Sequence, residues 1–134
     1  MTTIETKKEI SANSTQKLFD FLTNMNNFEQ LMPQDKVEKW NSDENQCEFT
    51  IKGMARIGLK KVSTEAPNKI TIESFGKVPF PFTLEIFLDE KSAEETEAYM
   101  VFKGEINAFM KMMVEKPLKN FFNMLVDKAA SLKL

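Results

Sequence analysis

Histidine is absent from the sequence. With it goes the side chain that most often moves protons near neutral pH and binds transition metals. Ser-His-Asp and Cys-His nucleophile systems are excluded. A zinc site would have to be assembled from carboxylates and a single thiolate, a poor donor set. No metal and no cofactor are therefore expected. Arginine occurs once, at Arg56, in a chain of formal net charge −2. Nucleic-acid-binding surfaces gather basic side chains and read bases largely through arginine, so no nucleic-acid partner is expected. Cysteine also occurs once, at Cys47. That excludes an internal disulfide and fits a reducing compartment. No apolar run approaches the ~20 residues of a membrane span, and the opening "MTTIETKKEI" lacks the apolar core of a secretion signal. A cytoplasmic location is the expectation. The acidic stretch "DEKSAEETE" (89–97) has no calcium-loop spacing and reads as a solvated hairpin tip.

What is present is ordinary globular material: 134 residues, 42% of them hydrophobic, enough for one domain over residues 1–134 with a genuine core. Residues 3–11 alternate Ile4, Thr6 and Ile10 on one face, as a half-buried strand does. In "ANSTQKLFDFLTNMNNFEQLMP", Asn13 reads as a helix N-cap with Gln16 at the third position, a capping box. Leu18, Phe19, Phe21, Leu22 and Met25 follow at helical spacing. "NMNN" interrupts, Phe28, Leu31 and Met32 resume, and Pro33 closes the unit, giving two short helices. From Val37 to Gly104 the period becomes two. Alternating segments at 36–41, 47–52, 56–64, 69–75, 82–89 and 96–104 are separated by turn residues such as "SDEN" and "APNK". Pro79 and Pro81 keep "GKVPFPF" a loop, since neither can serve in a central strand.

Residues 107–132 read as one long amphipathic helix. At about 100° per residue, Met110, Met113, Val114, Pro117, Leu118, Phe121, Met124, Leu125 and Leu132 share a broad arc. Lys116, Lys119, Asn120, Asn123 and Asp127 lie opposite, and Phe109 and Met112 lie off the arc. Pro117 removes one helical hydrogen bond and costs ~3 kcal/mol unless the helix bends. A kinked continuous helix is expected, because a second helix starting there would be capped by Lys116, a disfavoured cap. The methionines are not a metal site: Met112 points away from Met110 and Met113, and no histidine or nearby cysteine completes a copper-type set.

Strand, two short helices, six strands in hairpins, long helix: hairpin-linked strands are antiparallel, and a sheet with one apolar face needs a helix to cover it. A sheet of six to seven strands also curls. The segments "EISANSTQKLFDFLTNMNNFEQLMP", "CEFTIKGMARIGLK", "PFPFTLEIFL" and "MKMMVEKPLKNFFNML" resemble small bacterial members of the helix-grip superfamily, the START and SRPBCC proteins, in the form found in Bacteroidetes. The resemblance spans the whole chain. It implies an α+β helix-grip fold with a curved antiparallel sheet around a long C-terminal helix and two short helices after the first strand.

The same resemblance implies a cavity between sheet and helix that binds a hydrophobic small molecule for transport: a lipid, a polyketide or an isoprenoid-like compound. The expected lining is Phe49, Ile51, Ile57, Leu59, Ile72, Phe82, Leu84, Ile86, Met100, Phe102, Met110, Met113 and Phe121, with Pro117 shaping a portal and Phe80 as a candidate gate. A cyclase or dehydratase acting on an apolar substrate is the alternative. It needs paired acid/base groups in the cavity, and none is evident. The polar candidates are Lys8, Lys52, Arg56, Glu73, Ser74, Glu85 and Tyr99. Of these, Lys8 and Ser74 fall in register with inward-facing residues. A further alternative is a protein-interaction module built on the outer face of the terminal helix, with Phe109 and Met112 as the side chains to watch. The lysines of that helix would also suit transient membrane contact. Monomer and homodimer are both compatible with the sequence.

Overall fold

The period-two segments form one antiparallel sheet that wraps the terminal helix. The structure is a computed structural model and describes residues 1–134. The elements run β1 (Thr2–Glu5), β2 (Glu9–Ser11), α1 (Thr15–Leu22), a 3₁₀ helix (Met25–Leu31), β3 (Val37–Ser42), β4 (Gln46–Ile51), β5 (Ala55–Glu65), β6 (Lys69–Ser74), β7 (Phe82–Ser92), β8 (Glu95–Gly104) and α2 (Ala108–Ser131). The strand order is β1-β8-β7-β6-β5-β4-β3, with β2 also paired to β8. Consecutive strands from β3 to β8 are hairpin neighbours, and the first strand closes the far edge. This is the helix-grip architecture expected from the sequence.

The first strand differs from its expected single run over 3–11. It breaks between Glu5 and Glu9, giving eight strands. The break has a local cause. Thr6 still binds β8, its Oγ1 accepting from the Met100 N–H and its own N–H donating to the Met100 carbonyl. Lys7 then turns out of the sheet: its N–H donates to Asn123 Oδ1 of α2 at 2.9 Å, and its ammonium meets Asp127 at 2.8 Å. The broken strand is thus a fastening between sheet edge and helix.

The N-cap of α1 is also displaced by one residue. Ser14, not Asn13, caps the helix, its hydroxyl accepting from the Lys17 N–H, and Gln16 donates to Asp20 instead of closing a capping box. Asn13 is buried and has a different task. Its amide donates to Ser11 Oγ and to the Leu132 carbonyl, and its Oδ1 accepts from the Leu134 N–H. One side chain therefore stitches the end of α2 to the start of α1. Beside it, Thr96 Oγ1 donates to the Asn13 carbonyl and lies 2.9 Å from Thr15 Oγ1. Every buried side-chain nitrogen and oxygen has a partner, as a stable interior requires.

Alternation is clean where the sheet faces α2: in β4 Cys47, Phe49 and Ile51 are buried, and in β7 Phe82, Leu84, Ile86 and Leu88. Twenty-nine buried apolar residues form one core. α2 is a single continuous helix through Pro117. The carbonyl of Met113, which Pro117 leaves without a donor, lies in an exposed stretch where water can replace it.

Cys47 is buried in this core, and burial, reinforced by the Glu48 carboxylate, pushes its thiol up to about 12. The thiolate is the reactive form, so at pH 8 the folded protein is expected to resist Ellman's reagent and to react stoichiometrically only once denatured. Rapid labelling under native conditions would mean that β4 opens.

Candidate functional site

The space between sheet and helix is filled by aromatic rings packed on one another. Trp40 stacks on Phe49 (centroids 5.6 Å), and Phe49 on Phe121 of α2 (6.0 Å). Phe121 meets Phe122 edge-on (5.7 Å), and Phe122 packs on Phe102 (5.4 Å). Phe102 in turn touches Phe82 (5.1 Å) and Phe80 (6.2 Å). These are favourable offset and edge-to-face distances.

At the centre of this packing lies an enclosed cavity of about 10 Å³, lined only by Phe49, Ile51, Ile57, Leu59, Phe80, Phe82, Phe102, Leu118, Phe121 and Phe122. That volume admits about one water molecule. The roomy cavity implied by the resemblance is not found: Phe80, Phe121 and Phe122 fill the space between sheet and helix. The wall holds no titratable group and no hydrogen-bonding side chain.

On the other side of this wall is a cleft of about 280 Å³, open to solvent, where α2 passes the β4–β5 turn. Its lining is Lys36, Ile51, Lys52, Met54, Pro117, Asn120, Phe121 and Met124. The turn is tight: Gly53 adopts φ = +76°, a backbone state that favours glycine, and the Lys52 N–H donates to the Lys36 carbonyl at 2.9 Å, tying turn and preceding loop together. Ile51 and Phe121 line both cleft and cavity. They are the partition between them.

The expected lining residues divide accordingly. Phe49, Ile51, Ile57, Leu59, Phe82, Phe102 and Phe121 border the cavity, and Phe80 is buried in its wall. Pro117 borders the cleft. Ile72, Leu84, Ile86 and Met100 are buried in the surrounding core without bordering either space. Met110 is half-buried against the core edge. Met113 is a correction: it is 62% exposed and lines nothing. The buried face of α2 is Leu118, Phe121, Phe122, Leu125, Val126 and Ala129, turned relative to the arc drawn from the sequence. Two adjacent phenylalanines both insert into the sheet, so the helix seats along the line between them, and Met113, Pro117 and Met124 fall to its margin. Leu118 and Phe122 belong to the wall although neither was among the expected lining residues. The "FF" pair itself was the available signal.

The polar candidates lie elsewhere. Lys8 is exposed, its ammonium 4.9 Å above the Tyr99 ring, and Tyr99 stacks on Phe87 (4.9 Å) on the outer sheet face. Burial, then the carboxylates of Asp89, Glu5 and Glu97, raises the Tyr99 phenol above its ordinary range. Glu85 sits between Lys69 (2.9 Å) and Lys103 (3.3 Å), and Lys69 chiefly holds its carboxyl below the ordinary value. Ser74 Oγ accepts from the Phe82 N–H rather than facing the cavity. Arg56 donates to the Lys39 carbonyl and to Thr50. Only Lys52 reaches the cleft. No three His, Cys, Asp or Glu side chains are grouped to hold a metal ion, and no helix is long and apolar enough to cross a membrane.

No family model matches the sequence, and no curated relative does. Solved structures match the fold over nearly the whole chain. A START superfamily protein from Mycobacterium smegmatis superposes with a TM-score of 0.70 at 10% identity, covering 98% of this chain and 99% of its own. Norcoclaurine synthase from Thalictrum flavum, as a point mutant with a transition-state analogue, gives 0.74 at 10% identity over 96% and 91%. A protein from Chromobacterium violaceum gives 0.74 at 11% identity over 98% and 97%. At such identities the likeness is one of fold, and a fold of this kind hosts several functions.

Truncating the partition should join the two spaces. Phe121→Ala is expected to cost about 3 kcal/mol, the lower end for a buried phenylalanine because one side of the ring adjoins the cleft. Urea unfolding monitored at Trp40 measures this; a change below about 0.5 kcal/mol would mean that the ring is not packed as described.

Proposed function

We propose that this START-type domain binds a hydrophobic small molecule between its sheet and α2, admitted at the Pro117 cleft. The observation that carries the reading is the shared partition. Ile51 and Phe121 separate an open cleft from an interior walled entirely by apolar side chains. Rotating the Phe121 ring aside would let an apolar group take its place against Phe49, Ile57 and Leu59 with no polar atom left unpaired. Each Å² of apolar surface so removed from water contributes roughly 25 cal/mol, which offsets the packing that the displaced ring gives up. The candidate cargo is a lipid, polyketide or isoprenoid-like compound, and carriage follows if binding is reversible. The test is extraction: purified protein equilibrated with cell lysate, repurified and analysed by mass spectrometry should retain an apolar metabolite in near-stoichiometric amount. Phe121→Trp, which thickens the partition, should reduce that amount. Recovery of nothing beyond solvent blanks, together with a Trp40 emission indifferent to neutral apolar probes, would overturn the reading.

A second reading rests on a separate observation. Phe109, Met112 and Met113 are 73%, 89% and 62% exposed at the start of α2, and Phe109 stands at i,i+3 and i,i+4 spacing from Met112 and Met113, which flank it. Clustered exposed apolar side chains mark contact surfaces. A second copy of the chain is the simplest occupant, since a two-fold pair of α2 starts covers both patches at once. Sedimentation should show mass rising with concentration for the natural sequence and a monomer for Phe109→Glu/Met112→Glu. A chain that stays monomeric and floats instead with anionic vesicles would assign the patch to membranes.

A further inference from the structure

The Pro117 cleft differs in charge from three other depressions of the surface. Those beside Pro81, Cys47 and Ile4 each include carboxylates: Glu73 and Glu105, Asp43 and Glu48, Glu5 and Glu115. The Pro117 cleft has two lysines, Lys36 and Lys52, and no acid, in a chain whose net charge is negative. Neither ammonium is engaged. The ion pairs of the protein use Lys7, Arg56, Lys69, Lys91, Lys103 and Lys111. The backbones of Lys36 and Lys52 are hydrogen-bonded to each other, which roots both side chains at one rim. Across the cleft, α2 presents the Asn120 amide, which makes no hydrogen bond within the protein. Between these banks the floor is apolar: Ile51, Met54, Phe121 and Met124.

We infer that the ligand is an anionic amphiphile, with a small carboxylate or phosphate head held by Lys36 and Lys52 at the rim and its apolar chain laid along Met54 and Met124 toward the Phe121 partition. The inference rests on the binding function proposed above and adds the class of ligand. Methionine thioethers are adaptable walls for a flexible chain, and two exposed lysines act as point charges on a head of either kind without demanding the fixed fork that arginine imposes.

The probes are decanoate, decyl phosphate and decan-1-ol, each titrated into the protein by calorimetry below its aggregation limit. Both anions should bind about tenfold more tightly than the alcohol, the combined effect of two partly solvated ion pairs, and the margin should shrink in about 1 M salt. Decanoate exceeding decyl phosphate, or the reverse, identifies the head. Lys36→Glu/Lys52→Glu should abolish the margin, bringing the anions to or below the affinity of decan-1-ol for the same variant. Lys36→Gln/Lys52→Gln should reduce it, and unaltered Trp40 emission confirms that each variant is folded. Equal binding of the alcohol and the anions, or a margin that survives both double variants, overturns the headgroup assignment alone. Failure of all three probes to bind overturns it together with the binding function.

Discussion

The packing of Phe121 and Phe122 on the concave face of the sheet is the interaction on which the rest of the molecule depends. A curled antiparallel sheet with one apolar face is not stable bare. Here the covering helix is held by two consecutive rings, one on Phe49 and one on Phe102. Those two strand residues come from β4 and β8, which the sheet order separates by β5, β6 and β7. The pair of phenylalanines therefore spans the hollow of the sheet and sets its curvature as well as the seat of the helix. From them the aromatic packing extends outward, to Trp40 at one end and to Phe80 at the other. The loop carrying Pro79 and Pro81 is drawn inward by the same packing, which is why Phe80 is buried instead of standing at an opening.

The same rings both complete the core and close the site. Filling an apolar hollow with phenylalanine yields stability, since the walls of an empty space have no atoms opposite them to attract. Yet a binder of apolar ligands must surrender some of that filling when it loads. The partition formed by Ile51 and Phe121 is a compromise between the two demands. It is one side chain thick, it lies beside a proline that has already removed one helical hydrogen bond, and its outer surface is solvated.

Much of this was legible in the sequence. Period-two alternation of Cys47, Phe49 and Ile51, or of Phe82, Leu84 and Ile86, identifies the strands and their buried face, because a pleated strand allows no other reading of such a pattern. The resemblance supplied the order in which they pack. Three things were not legible. Asn13 has the residue type and the position of a cap, and only the tertiary arrangement shows that its amide is needed by Leu132 and Leu134. Met113 shares the spacing of the core-facing residues, but the helix is seated by Phe121 and Phe122 with its buried face turned away from Met113, and that rotation is set by the sheet opposite. The cleft lysines lie at the two outer ends of the β3–β4 hairpin, and the pairing of Val37 with Ile51, extended by the Lys36–Lys52 backbone hydrogen bond, brings them to one rim. In each case the missing information is long-range.

The broken first strand has a mechanical consequence. Lys7 pins α2 through Asn123 and Asp127, and Asn13 pins its end through Leu132, so the C-terminal half of the helix is clamped at several points. The half before Pro117 is held differently: three residues join it to β8, and Met110 and Val114 pack against the core edge. α2 is thus a beam supported at both ends, by polar bonds along its C-terminal half and by apolar packing near its start. From Phe121 to Phe109 the helix extends about 18 Å at 1.5 Å per residue. The exposed Phe109, Met112 and Met113 stand at the far end of that length, so the partition and the outer patch are two ends of one rigid element.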